Sequence, residues 1–293
     1  MPRTTFVSPG FHEERPGLLV PVRVDPNGVT GPTAKQARGP RFRRTSWGLH
    51  VSAEADPDSP EQRIVEAHTA MLLDTWVTGW AALRWHGGFW FDGLMRDGRT
   101  RRPVPVVTTI DQTPPAGVRP FRELLPLQER QEVDGLPVTS PVRSLFHEVR
   151  RAGSLREAVW AIEMAAYDDL VSVEEFLDFL ARHRGWPGVV RGRAAVRLAG
   201  ESSLSPRETD LNWVWVVEAG LPPPSRNVPV FDLDGRHLGT PDFLDEHAGL
   251  VVEYDGQVTS SRAGVAGTVT GRRRSGGLVW STSRCWPATG TRR

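Results

Sequence analysis

The chain reads as an α/β protein in two parts: a mainly helical N-terminal region with some strands, followed by a shorter α/β domain. Three observations predict this class. Serine stands three residues ahead of glutamate at Ser154, Ser172 and Ser205 (Glu157, Glu175 and Glu208), the spacing of a helix N-terminus. Asp134-Gly135 and Asp234-Gly235 lie between apolar runs, a strong hairpin signal. Short runs rich in valine, VPVVTTI at 104–110 and LVVEYD at 250–255, have strand rather than helix length.

Composition bounds the rest. The 293 residues, 39% of them hydrophobic, suffice for one large or two ordinary domains with folded cores. One cysteine, Cys285, excludes an intramolecular disulfide and a thiolate metal site, and fits a reducing cytoplasm. No apolar run approaches the ~20 residues of a membrane span, and the N-terminus lacks an apolar signal core, so a cytoplasmic protein with no membrane partner is expected. The net charge of +1 conceals a division. Residues 1–51 hold eight basic against three acidic groups, and 256–293 hold seven arginines and no acid, which leaves the middle acidic. Basic segments on an acidic body point to a phosphate-binding face, or to a plainly solvated basic loop.

Residues 1–30 are rich in proline, glycine and charge, and no regular element is predicted there. Residues 31–38 suit a short helix, and 40–51 (PRFRRTSWGLHV) a basic hairpin bent at Trp47-Gly48. A helix followed by a basic hairpin is the form of a winged DNA-binding unit. Residues 1–60 are therefore a candidate winged-helix-like segment, with Arg41, Arg43 and Arg44 as DNA contacts.

Residues 61–200 form a mixed, mainly helical domain. Ile64, Ala67, His68, Met71 and Leu72 recur at helical spacing, and Thr78–His86 makes a second helix. Strands at 104–110, 118–125 and 132–139 precede helices from Ser140 to Gly153 and over 155–167, 173–183 and 189–199. His86 before two glycines invites a ligand role, but a histidine at a helix C-terminus is favoured by the dipole alone. Arg191, Arg193 and Arg197 on the last helix face either phosphate or the acidic helices.

The chemistry concentrates in 201–257. Ser205 suits an N-cap, Pro206 the first helical position and Gly220 the residue past the end. Glu208 completes a capping box, and it also lies where a helix acid borders a metal site. Strands 228–233 and 236–244 flank Asp234-Gly235, and Pro241 marks an edge or bulge that turns Asp242 outward. In the strand 250–255, period two places Glu253 and Asp255 on one face, Val252 and Tyr254 on the other. If the second and third strands are antiparallel neighbours, Asp242 approaches Glu253. Carboxylates converging at strand ends suit a hard cation such as Mg²⁺, which neutralises a scissile phosphate and activates water. Acids at strand ends also simply solvate turns and discourage edge pairing.

A capped helix with Glu208, a hairpin, Pro241-Asp242 and Glu253-Tyr254-Asp255, in this order, resembles the PD-(D/E)XK nuclease superfamily. Within it the likeness is to the uncharacterised branch similar to very-short-patch-repair endonucleases. The resemblance implies a restriction-endonuclease-like core over 201–257, with Asp242 and Glu253 as Mg²⁺ ligands. Glu208 and Asp255 would be supporting catalytic acids, and the reaction DNA cleavage. The superfamily's lysine would fall at Asp255, and Gln257-Val258-Thr259-Ser260 lacks the histidine that commonly follows the D-G in that branch. The helix and basic hairpin of 31–51, together with Thr78-Gly79-Trp80-Ala81-Ala82-Leu83 to His86-Gly87, are similar to abortive-infection type IV antitoxins. That likeness implies a DNA-binding regulator with a cognate toxin as partner.

After Gln257 the likeness stops. Residues 258–293 hold no acid and no countable helical period, only mostly small residues, serine, threonine and arginine. A reading frame shifted near codon 257 is the favoured expectation, leaving a truncated nuclease-like domain of impaired activity. A genuine basic, disordered tail that helps to bind nucleic acid is the other.

Overall fold

The computed structural model describes residues 6–71, 74–200, 203, 205–232, 234–254, 274–275 and 278–284, with 253–254 and the last two segments as backbone. The chain divides into two units, Met1–Arg197 and Leu198–Arg293. Each mixes helices and strands, as the α/β class requires.

The first unit opens on a hairpin, β1 (Gly10–His12) and β2 (Arg15–Leu19), where the sequence predicts no regular element. A distant anchor accounts for it. The Arg15 guanidinium pairs with Asp134 at 2.7 Å, donates to the Trp85 carbonyl and stacks over the Trp85 ring. β3 (Val22–Arg23) joins β4 (Phe42–Ser46) and β5 (Leu49–Ser52) in a sheet ordered β3-β5-β4. Between them α1 (Ala34–Ala37) is closed by a Thr33–Gln36 capping box. The β4–β5 turn falls at Trp47-Gly48, as the sequence indicates, with Gly48 at φ +75°.

A five-stranded mixed sheet forms the centre of this unit. Its strands are β6 (Thr75–Val77), β7 (Val104–Thr108), β8 (Val118–Phe121), β9 (Arg130–Val133) and β10 (Leu136–Thr139), in the order β8-β7-β6-β10-β9. β7 is buried along its whole length, which is why it reads as a valine run without alternation. Asp134 and Gly135 both take positive φ, the geometry of a two-residue turn between twisted strands. The helices are α2 (Pro60–Thr69), α3 (Gly79–Trp85), α4 (Pro141–Arg151), α5 (Leu155–Tyr167), α6 (Val173–Arg182) and α7 (Val189–Val196). Ser154 and Ser172 cap α5 and α6, accepting from the amides of Glu157 and Glu175. Trp80, Trp85, Phe146, Phe176 and Phe179 are fully buried.

In the second unit Ser205 caps α8 (Pro206–Trp213), which runs on as a π-helical turn over Val214–Glu218, closed by Ala219 N–H to the Val214 carbonyl at 2.8 Å. Leu211 and Trp215 of this helix pack on Phe243 and Val252. The main sheet, antiparallel throughout, contains β11 (Ser225–Arg226), β14 (Phe243–Asp245), β15 (Leu250–Tyr254), β16 (Arg274–Ser275) and β17 (Leu278–Arg284), in the order β11-β14-β15-β17-β16. β12 (Val230–Phe231) and β13 (His237–Gly239) form a separate hairpin across Asp234-Gly235. The strand predicted over 236–244 is thus divided. Thr240 and Pro241 leave the ladder because proline has no N–H to donate, and the two pieces enter different sheets.

Two strands fall within 258–293, where the sequence predicts no regular element. β17 pairs along β15, with Glu253 opposite Ser281 and Val252 opposite Thr282. The run Leu278-Val279-Trp280-Ser281-Thr282 has strand composition, and pairing removes an open edge from β15.

Candidate functional site

Two of the candidate acids of the second unit, Asp242 and Glu253, fall at one register position of its main sheet. β11 sets Arg226 beside Phe243, and β15 sets Val252 beside the same residue. Continuing both registers by one residue brings Asn227, Asp242 and Glu253 into line across three strands, and Glu253 is itself opposite Ser281. The second and third predicted strands are therefore antiparallel neighbours, and Asp242 reaches the register position of Glu253. Phe243 and Val252, the pair next to this row, are buried.

Glu208 joins this row through Asn227. The Asn227 side-chain amide donates to Glu208 Oε2 at 2.7 Å, while its backbone N–H donates to the Asp242 carbonyl at 3.2 Å. The other carboxylate oxygen of Glu208 accepts from the Ser205 hydroxyl at 3.0 Å, and that hydroxyl caps the Glu208 amide. Glu208 is 7% exposed. It serves both as helix cap and as the brace that fixes Asn227 beside Asp242. Asp255 lies outside the described residues, and Glu253 is described by its backbone alone. Among the described residues, no group of three or more His, Cys, Asp or Glu converges as a metal site.

The three arginines of the basic hairpin differ in exposure and partners. Arg41 and Arg44 are exposed, and Arg44 Nε donates to the Ser46 carbonyl. Arg43 is half-buried, its guanidinium pairing with Glu66 of α2 and donating to the Ala55 carbonyl. It fastens the hairpin to the helix. At the turn Trp47 is 87% exposed.

Two other residues singled out from sequence have structural duties. His86 is the C-cap of α3, and its Nε2 lies 3.0 Å from the Thr139 carbonyl. Burial holds its pKa below the usual histidine value. Arg191 donates to the Arg150 and Ala152 carbonyls at the end of α4.

A buried ionic network in the first unit leaves no mark in the sequence pattern. Arg143, 1% exposed, pairs with Glu123 at 2.5 Å and Glu129 at 2.9 Å. Arg150 and Arg151 also reach Glu123, and His183 lies 3.4 Å from Glu129. Burial raises the Glu129 carboxyl, against the pull of Arg143 and His183, and brings Arg150 down to about 10. Next to this network His147, 2% exposed, packs edge-on against Phe121 at 4.6 Å, and its Nδ1 makes no hydrogen bond. Burial, reinforced by Arg151, Arg143, Arg102 and Arg119, holds its pKa well below the usual value. Gly79 is required at this point. It sits at φ +56°, and a Cβ there would lie 2.6 Å from Glu148 and 2.8 Å from His147.

Comparison with known proteins supplies no identity: no family model, no curated protein and no solved structure matches the chain. No helix among the described residues is long and apolar enough to cross a membrane.

Proposed function

We propose that the second unit is a restriction-endonuclease-like α/β domain of the PD-(D/E)XK type, acting on DNA phosphodiesters through a divalent cation. The observation that carries this reading is the row of Asn227, Asp242 and Glu253, braced by Glu208. Two acidic residues at neighbouring register positions, in the row next to the buried Phe243 and Val252, fit a hard cation such as Mg²⁺. Asp242 and Glu253 would hold it, with Asp255 supporting. The cation would supply charge neutralisation at the scissile phosphate and activate water. Lys35 is the only lysine of the chain, so the ammonium usual in such sites has no replacement nearby, and hydrolysis is slow at best.

The test is Mn²⁺ binding to the full chain by calorimetry, with plasmid nicking in Mg²⁺ beside it. Binding that disappears in the Asp242→Asn, Glu253→Gln double variant, with the circular dichroism unchanged, is the expected result. Equal binding by the double variant sinks the reading.

A second reading, a non-catalytic DNA-binding regulator of antitoxin type with a toxin partner, is favoured by the exposed Arg41 and Arg44 flanking Trp47 on the hairpin. Metal-independent, salt-sensitive DNA binding lost in Arg41→Ala, Arg44→Ala supports it. Binding indifferent to those changes removes it.

A further inference from the structure

A cleft of about 380 Å³ opens in the first unit between the β4–β5 hairpin, α2 and the Pro115-Ala116-Gly117 loop that leads into β8. Four arginines, 43, 63, 101 and 102, line it against one carboxylate, Glu66. Glu66 takes Arg43, Asp58 takes Arg101 and Glu148 takes Arg102. Arg63 differs. It donates to the carbonyls of Gly93 and Arg102 and stacks over Trp80 at 5.2 Å; the Asp92 carboxylate acts on its charge without forming a close ion pair. The buried Thr45 hydroxyl lines the same cleft and makes no hydrogen bond. From there the groove continues past Arg44 and Ser46 to the exposed ring of Trp47.

A guanidinium held outside any close ion pair, on a wall of four arginines against one carboxylate, a hydroxyl without a partner and an aromatic face thus follow one another along a concave path. Phosphate suits the first two, since charge-assisted and hydroxyl donors both satisfy its oxygens, and a nucleobase suits the third. We infer that this groove binds single-stranded nucleic acid, with a backbone phosphate at Arg63 and Thr45 and a base stacked on Trp47. A duplex does not fit the same path, because its bases are already stacked on one another and its convex backbone does not enter a recess. The inference rests on the reading of the hairpin as a DNA-binding element and narrows it to unpaired strands.

Fluorescence anisotropy of the full chain tests it, with a short labelled oligothymidylate and a duplex of equal length, over a range of salt. The single strand binds more tightly than the duplex. Trp47→Ala weakens single-strand binding by about 5- to 150-fold, the range for one stacked base, and leaves duplex binding unchanged. Arg63→Gln lowers the salt slope by about one unit, and Arg63→Lys restores it. Should Arg63→Gln fail to fold, Trp47→Ala at an exposed turn still decides. Duplex binding at least as tight as single-strand binding, or no effect of Trp47→Ala, overturns the inference. If tight duplex binding is lost in Arg41→Ala, Arg44→Ala, the hairpin reading survives while this inference falls. Failure to bind either nucleic acid removes both.

Discussion

The two units hold their buried carboxylates through different contacts. In the first, Arg143 is enclosed with Glu123 and Glu129, so that a guanidinium is answered by full opposite charges. In the second, the buried Glu208 accepts from a hydroxyl and an amide, and Asp242 and Glu253 fall in one register row beside the buried Phe243 and Val252. Matched charges neutralise one another and leave nothing for a ligand. Carboxylates set in one register row are what the proposed cation site requires. Among the described residues, the buried apolar cluster of the second unit consists of Leu211, Trp215, Phe243 and Val252.

The contrast breaks first at Arg143. Arg143→Met leaves the buried Glu129 and the half-buried Glu123 without their main partner, and a loss of about 3–5 kcal/mol is expected in urea unfolding. A loss under about 1 kcal/mol would mean that the remaining arginines suffice. In the second unit, Phe243→Ala opens the small core and costs about 3 kcal/mol, read as lost amide-exchange protection in β14 and β15. Asn227→Ala sharpens the comparison further. Removing a donor from the buried Glu208 costs about 1–3 kcal/mol. If Glu208 is only a helix cap, Mn²⁺ affinity stays as it was; if it braces the metal row, affinity falls together with stability.

A smaller effect follows pH. His147 is neutral when folded, and in the unfolded chain it takes a proton near its usual value of about 6.5. Its contribution is fully present above that value and is lost as pH falls below it, because the unfolded state then binds the extra proton. Stability should decline between pH 7 and pH 5 by up to about 1.4 kcal/mol per unit for this residue, with His50, His68 and His86 acting in the same direction. His147→Gln flattens the slope. An unchanged slope would show that His147 is already accommodated as a cation.

Signals confined to a few neighbouring residues are legible in the amino-acid sequence. The serine caps at 154, 172 and 205, the Asp-Gly turns and the Trp47-Gly48 bend all stand where the spacing predicts them. Each depends on backbone dihedrals and hydrogen bonds within one turn, which adjacent side chains decide. The strands that carry the candidate acids are legible in part, since the LVVEYD run forms β15 and Pro241 marks the break beside Asp242.

Elements held by distant partners are not. β1 and β2 are held through Arg15 by Asp134 and Trp85, 119 and 70 residues away, and no local pattern records such a tie. Arg43 reads like its neighbours Arg41 and Arg44, but it lies within reach of Glu66, 23 residues on, and pairs with it. Pro241 signals an irregular strand, but only the competing ladders show that 237–239 pairs with β12 and 243–245 with β11 and β15. Likewise the tail's β17 depends on an open edge of β15 that only the folded sheet presents. Helix starts and chain turns follow from the order of residues alone, because they are settled among immediate neighbours. Which charges are enclosed, which strands pair and which acids share a row emerge only in the folded chain, because burial and pairing depend on partners that lie far apart along it.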